Sequence, residues 1–185
     1  MNKMISFDLE TLGSHMESPI TQLGAVKFDL ENIYTDDAFV MNVTHKSLEY
    51  YKFKVGYSSV YWWATETNDE VRKFVFDQES AENIRLVLLK FVEWIEKPSE
   101  YQLWSHRFDV PVLKNAFDRV DIKEVPIPHM CFMDIITLCN LVKMYLDPDS
   151  ELPKTDRKGL HHYALDDAIY QAEYIQKFLK VLLQV

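Results

Sequence analysis

Short apolar runs rich in branched residues open the chain at Met4 to Phe7, Ile20 to Phe28 and Ala38 to Val43, separated by Gly, Pro, Asn and Asp. Runs of this length bounded by turn residues read as strands, and three in succession predict a meander. Helical periodicity follows over about Ser58 to Thr65, about Ser80 to Ile95 and from Asp109 through Arg119, with a short strand at Tyr101 to Ser105. Further helices are predicted over about Met133 to Met144 and Tyr163 to Leu183. Strands first, then alternating helices and strands, predict an α/β fold: a mixed sheet with helices on its faces. There is no internal repeat. The polar stretch Asp147 to Lys158, DPDSELPKTDRK, reads as a surface loop leading into a His-rich helix start.

Composition narrows the class more than the fold. At 185 residues the expectation is one domain, residues 1–185, with a sizeable core. A hydrophobic fraction of 48% and a charged fraction of 26%, with four Gly and seven Pro, exclude a disordered or fibrous chain. Asp8 interrupts the first apolar run before it reaches signal-peptide length, and no stretch approaches the roughly 20 apolar residues of a membrane span. Cys131 and Cys139 lack metal-type spacing and read as buried thiols, so a cytoplasmic location is expected. The net charge of −9 excludes a protein that grips long nucleic acid by neutralising many phosphates. It leaves room for an enzyme that engages a few terminal nucleotides and leaves phosphate neutralisation to metal ions.

The candidate chemistry lies in carboxylates. Asp8 and Glu10 stand two apart at the end of the first strand, so both project to one side of it. Asp109, in WSHRFDVPVL, opens a helix after a strand; alone it reads as a first-turn acid answering the helix dipole. A third cluster, HHYALDDA at 161 to 168, sets imidazoles beside acids at another helix start.

The order D-x-E, then F-D, then H-x-A-L-D-D-A resembles the histidine subclass of DEDD exonucleases, the group of RNase T, oligoribonuclease and polymerase proofreading domains, and most closely its compact phage and bacterial members. Asp8, Glu10, Thr11 and Gly13 match a D-x-E-T-x-G first motif, and TQLGAVKFD at 21 to 29 matches its second strand. Asp109 matches the second motif, although Ser105, His106 and Arg107 depart from the Asn- or Gly-containing segment of many relatives. His162 and Asp167 match the third, and MDIITL at 133 to 138 matches a D-x-x-T-L helix start. The resemblance implies an RNase H-like fold in which Asp8, Glu10, Asp109 and Asp167 converge to hold two Mg²⁺ or Mn²⁺ ions. Such cations prefer oxygen ligands, and a pair about 3.5–4 Å apart activates a water and stabilises the leaving 3′-oxygen.

Three base–acid registers fit the third cluster: His162 with Asp167, His161 with Asp166, and Tyr163 with Asp167 in a tyrosine-subclass spacing. Leu165, Ala168, Ile169, Ala172, Ile175, Leu179 and Leu182 make an apolar stripe along the last helix. Asp167 lies at its edge and Asp166 nearly opposite, which favours Asp167 as the inward acid. The family pattern then selects His162, whose ordinary pKa suits a general base.

Thr11, Leu12 and Gly13 resemble the family's turn against the terminal nucleotide. The aromatic-rich segment holding Tyr50, Tyr51, Phe53, Tyr57, Tyr61, Trp62 and Trp63 offers a stacking platform, from which Trp63 is assigned to substrate. Lys154, Arg157 and Lys158 stand before His162, their charge nearly cancelled by Asp147, Asp149, Glu151 and Asp156. The expected activity is 3′→5′ hydrolysis of single-stranded DNA or RNA ends, releasing nucleoside 5′-monophosphates. A homodimer lending substrate contacts is a further expectation, and no membrane partner is expected. A metal-dependent phosphatase or nucleotidase, or a non-catalytic binding module on the same fold, would share many of these features.

Overall fold

The computed structural model describes residues 3–122, 127–146, 152–153 and 155–184. Among them one sheet is built from β1 (Lys3–Thr11), β2 (Ile20–Phe28), β3 (Ile33–Asn42), β4 (Tyr101–Ser105) and β5 (Phe132–Asp134), in the order β3-β2-β1-β4-β5. The first three form an antiparallel meander, and β4 and β5 add parallel beyond β1. Parallel addition needs crossover connections, which include α4 (Ile84–Ile95) before β4 and α5 (Asp109–Arg119) after it.

The period-2 alternation of β1 divides the molecule into two cores. Ile5, Phe7 and Leu9 enter a cluster with Leu88 and Phe91 of α4 and Leu113 and Phe117 of α5. The opposite face carries Met4, Ser6, Asp8 and Glu10 toward α6 (Ile135–Tyr145) and α7 (Ala164–Leu183), where Met4, Trp104, Ile135, Ala168, Ala172 and Ile175 pack together. Helices therefore cover both faces, giving the expected RNase H-like α/β arrangement.

Several boundaries differ from expectation for local reasons. The helix expected from Ser80 starts at Ile84, because Asn83 accepts a hydrogen bond from Arg85 N at 2.9 Å and Glu82 is bridged to Val43. The helix expected from Met133 starts at Ile135: Met133 pairs with Trp104 in β5, and Asp134 caps α6 through Thr137 N at 3.1 Å. Three short helices fill the segment between β3 and α4: α1 (His45–Tyr50), α2 (Tyr57–Thr65) and α3 (Asp69–Val75). Of these only α2 is long enough to show its periodicity in sequence.

The position of α7 sets the position of its functional side chains. Ala164 N donates to Gln22 Oε1 at 2.9 Å, and Gln22 Nε2 donates to Asn42 Oδ1 at 2.7 Å, which ties the helix start to β2 and β3. Gly24 of β2 lets the backbones touch: a Cβ there would lie 2.3 Å from the Ala164 carbonyl carbon and the Leu165 nitrogen. Gly24→Ala is therefore expected to push α7 off the sheet. At about 1–3 kcal/mol or more for overpacking, a thermal melt should show a drop of several degrees. An unchanged melting temperature would mean that the two backbones do not need this approach.

Candidate active site

Three carboxylates from distant parts of the chain meet on the α7-facing side of the sheet, and a fourth, Asp109, acts on them through its charge. Asp8 and Glu10 project from the α7-facing side of β1, and Asp167 enters from the first turn of α7; oxygens of these three lie within 4.8 Å of one another. Asp109 stands in the first turn of α5, only 4% exposed. A helix N-terminus favours negative charge, which helps explain why two of the four acids sit in first turns.

Desolvation dominates the electrostatics. Burial, reinforced by the Asp167 charge, pushes Asp8 up to about 7, against a hydrogen bond from Gln171 and the charge of Arg157. Burial lifts Glu10 well above the usual carboxylate range, with Asp8, Asp167 and Asp109 adding to it. Burial and then the Asp8 charge do the same to Asp109. Asp167 is raised by burial while the Arg157 guanidinium, hydrogen-bonded to its Oδ1, pulls the other way. Glu10 Oε1 and Asp109 Oδ2 are buried and have no hydrogen-bond partner. Buried polar atoms are nearly always paired, so two orphaned carboxylate oxygens in an all-oxygen cluster fit hard divalent cations.

Beside the acids stands His162, in the left-handed region at φ 66. Its backbone N–H donates to Asp167 Oδ2 at 3.1 Å. Burial first, then the charges of His161 and Arg157, lower the imidazole pKa to about 4, so the ring is neutral at physiological pH. The ring lies between two cavities that share Leu9, Glu10 and His162 as walls. One, about 420 Å³, includes Thr11, Gly13, Ser58, Trp62, Trp63 and Phe108; the other, about 360 Å³, includes Asp8, His106, Arg157, Asp167 and Gln171. Tyr163 lines neither and packs its ring on Phe74 at 5.6 Å.

The inward stripe of α7 is rotated from the one expected. Ala164, Asp167, Ala168, Gln171, Ala172, Ile175 and Phe178 are buried, whereas Leu165, Ile169, Leu179 and Leu182 are only partly so. Asp166 does not simply face water: its Oδ2 accepts from Leu160 N at 2.7 Å and fixes the turn before His162. Gln171, which sequence reasoning missed, donates to Asp8 Oδ1 at 2.7 Å. The signal was available, since Gln171 stands one helical turn after Asp167 on the same face.

On the substrate side, the turn after β1 is fixed by Thr11 Oγ1 donating to Gly13 O at 2.8 Å and by Gly56 N donating to Leu12 O at 2.7 Å. Leu12 turns away from the cavity that Thr11 and Gly13 line: it packs with the Trp63 cluster and lines a neighbouring hollow with Pro19, Leu48 and Phe53. Trp63, expected to meet substrate, is 4% exposed, packs on Val71 and Val75, and spends its indole N–H on Thr11 O at 2.9 Å. Its neighbour Trp62 is the accessible one, set edge-on to His162 at 4.7 Å. Of the three basic residues before His162, Arg157 enters the acid cavity, Lys158 pairs with Glu173 at 3.5 Å, and Lys154 lies outside the described residues, as do Asp147, Asp149 and Glu151. Cys131 and Cys139 are free thiols, buried and partly buried. Among the described residues no helix is long and apolar enough to cross a membrane.

A family model described as the Rv2179c-like 3′–5′ exoribonuclease domain matches residues 3–179. By sequence alone no curated protein matches. Solved structures with similar folds include cell-death related nuclease 4, at 14% identity and TM-score 0.70, over 97% of this chain and 64% of that one. E. coli exonuclease I in complex with a dA16 oligonucleotide aligns at 16% identity and TM-score 0.64, over 97% of this chain and 41% of that one. The zinc-bound complex of E. coli exonuclease I with single-stranded DNA aligns at 16% and 0.63, over 100% and 41%. The chain thus spans less than two thirds of the length of each of these proteins, and at such identities the likeness is one of fold.

Proposed function

Since the chain belongs to the Rv2179c-like family of 3′–5′ exoribonuclease domains, we propose that residues 1–185 act as one exonuclease domain that removes nucleoside 5′-monophosphates from single-stranded 3′ ends, RNA foremost. Asp8, Glu10, Asp109 and Asp167 would hold two divalent cations, Mg²⁺ or Mn²⁺. Bound there, such ions supply charge stabilisation at the scissile phosphate and acidify water. His162, neutral and at the cavity wall, takes the proton of the attacking water as general base. Gln171 keeps Asp8 oriented. Thr11 and Gly13 wall the cavity for the terminal nucleotide, with Trp62 as the accessible stacking face and Trp63, in the same wall but largely buried, holding the turn.

The observation that carries this reading is the gathering of Asp8, Glu10 and Asp167 oxygens, with the buried Asp109 acting on them through its charge and with unpartnered oxygens on Glu10 and Asp109, beside a neutral imidazole. Matched 5′-labelled and 3′-labelled RNA and DNA oligonucleotides, incubated with and without Mn²⁺, test it. Progressive shortening of the 5′-labelled strand and immediate release of the 3′ label as mononucleotide are expected, only with metal. Intact oligonucleotides alongside dephosphorylated mononucleotide would point instead to a nucleotidase. In single-turnover assays, His162→Ala should lose at least about 10²-fold, the usual contribution of a general base. His161→Ala and Tyr163→Phe should stay near wild type; a crippled Tyr163→Phe with an intact His162→Ala would move the base to the tyrosine.

A further inference from the structure

The geometry points to a second metal site, of different chemistry, in which His161, His162 and Asp167 bind one Zn²⁺-class transition-metal ion. In an extended chain, consecutive side chains leave on opposite sides. Here the left-handed backbone at His162, a conformation unfavourable for a non-glycine residue, turns its ring back onto that of His161. The two rings stack with centroids 3.7 Å apart and 24° between planes. The hydrogen bond from His162 N to Asp167 Oδ2 draws the carboxylate to the same place. One nitrogen from each imidazole and one Asp167 oxygen all lie within 4.8 Å of one another.

Zinc binds imidazole nitrogen and carboxylate oxygen at about 2.0–2.2 Å, so donors around one tetrahedral ion stand about 3.3–3.6 Å apart. Closing the set takes side-chain movements on the order of 1–1.5 Å and a rotation of the exposed His161 ring out of the stack, because each imidazole nitrogen coordinates in its own ring plane. Two nitrogens and one oxygen favour zinc and its neighbours in the transition series over Mg²⁺, which prefers oxygen throughout. The fourth position opens on the cavity lined by both histidines and Arg157. Arg157, which pairs with Asp167, would be displaced by a dication at the same carboxylate.

Occupation would remove the general base and one acid together, so zinc should inhibit where Mg²⁺ or Mn²⁺ activates. The inhibition rests on the nuclease reading; the binding does not. The test is equilibrium dialysis of the whole protein against Zn²⁺ with Mg²⁺ in large excess, run beside oligonucleotide digestion, for wild type, His161→Ala and His161→Gln. Wild type should retain one zinc and lose cleavage. Both variants should cleave at the wild-type rate but bind zinc at least about 10-fold more weakly, with the inhibitory concentration raised to match. Unchanged zinc affinity in both variants, or no zinc retained by wild type, overturns the proposal. If no oligonucleotide is cut under any condition, the nuclease reading fails, while the dialysis result still decides the site.

Discussion

Asp109→Asn is expected to cut nuclease activity by at least about 10²–10³-fold, the loss typical of removing one group that stabilises transition-state charge, and at the same time to raise the melting temperature of the metal-free protein. The two effects share a cause. Asp109 is buried, its Oδ2 has no hydrogen-bond partner, and its charge adds to that of Glu10. A buried, uncompensated charge destabilises the fold, and an amide of the same shape removes it. Its N–H donors would also face a cluster with unpartnered carboxylate oxygen on Glu10. Functional sites commonly trade stability for activity in this way. The comparison is best made in chelator at about pH 8, where ionisation of the raised acids costs the most. Retained cleavage would remove Asp109 from the machinery; a lower melting temperature in chelator would show that the cluster is not under electrostatic stress.

The parts of this site legible in sequence were those governed by short-range periodicity. Asp8 and Glu10 share a face because β1 continues through them, and the period of two holds whether or not the neighbours are apolar. The phase of α7 came out rotated because Asp167 and Gln171 are polar yet buried, and a stripe counted from apolar residues alone passes over both. Asp167 still fell on the correct side, being next to Ala168. The choice between Trp62 and Trp63 was not legible. It depends on α3, whose Val71 and Val75 form the pocket that takes Trp63, and a seven-residue helix is too short to announce itself by periodicity. β5, three residues long and paired among the described residues through β4, was hidden in the same way. Arg157 against Asp167 depends on the path of an irregular segment, which no local rule supplies.

Adding Mg²⁺ or Mn²⁺ at about 100 times its dissociation constant should stabilise the fold by roughly 2.7 kcal/mol, which for a chain of this size is a rise of roughly 5–10 °C in melting temperature. The size of that rise should depend on pH in one direction. Asp8, Glu10, Asp109 and Asp167 all have folded-state pKa values above their unfolded ones, Asp8 at about 7 and Glu10 and Asp109 well above the usual range. The native state therefore holds protons that the unfolded state has released. The stability they contribute is complete below the unfolded pKa and is lost as pH rises through the folded one. His162 and His106, lowered by burial, work in the opposite direction, but only where an unfolded histidine is still protonated, below about pH 7. The acids whose pKa is lowered, such as Asp29 and Asp77, are ionised in both states throughout this range. Between about pH 7 and 8.5 the metal-free protein should therefore melt progressively lower while the metal-loaded protein changes little, so that the gap between the two curves widens. A gap that narrows with pH, or no response to either cation, would mean that the four carboxylates do not act as one cation-binding unit.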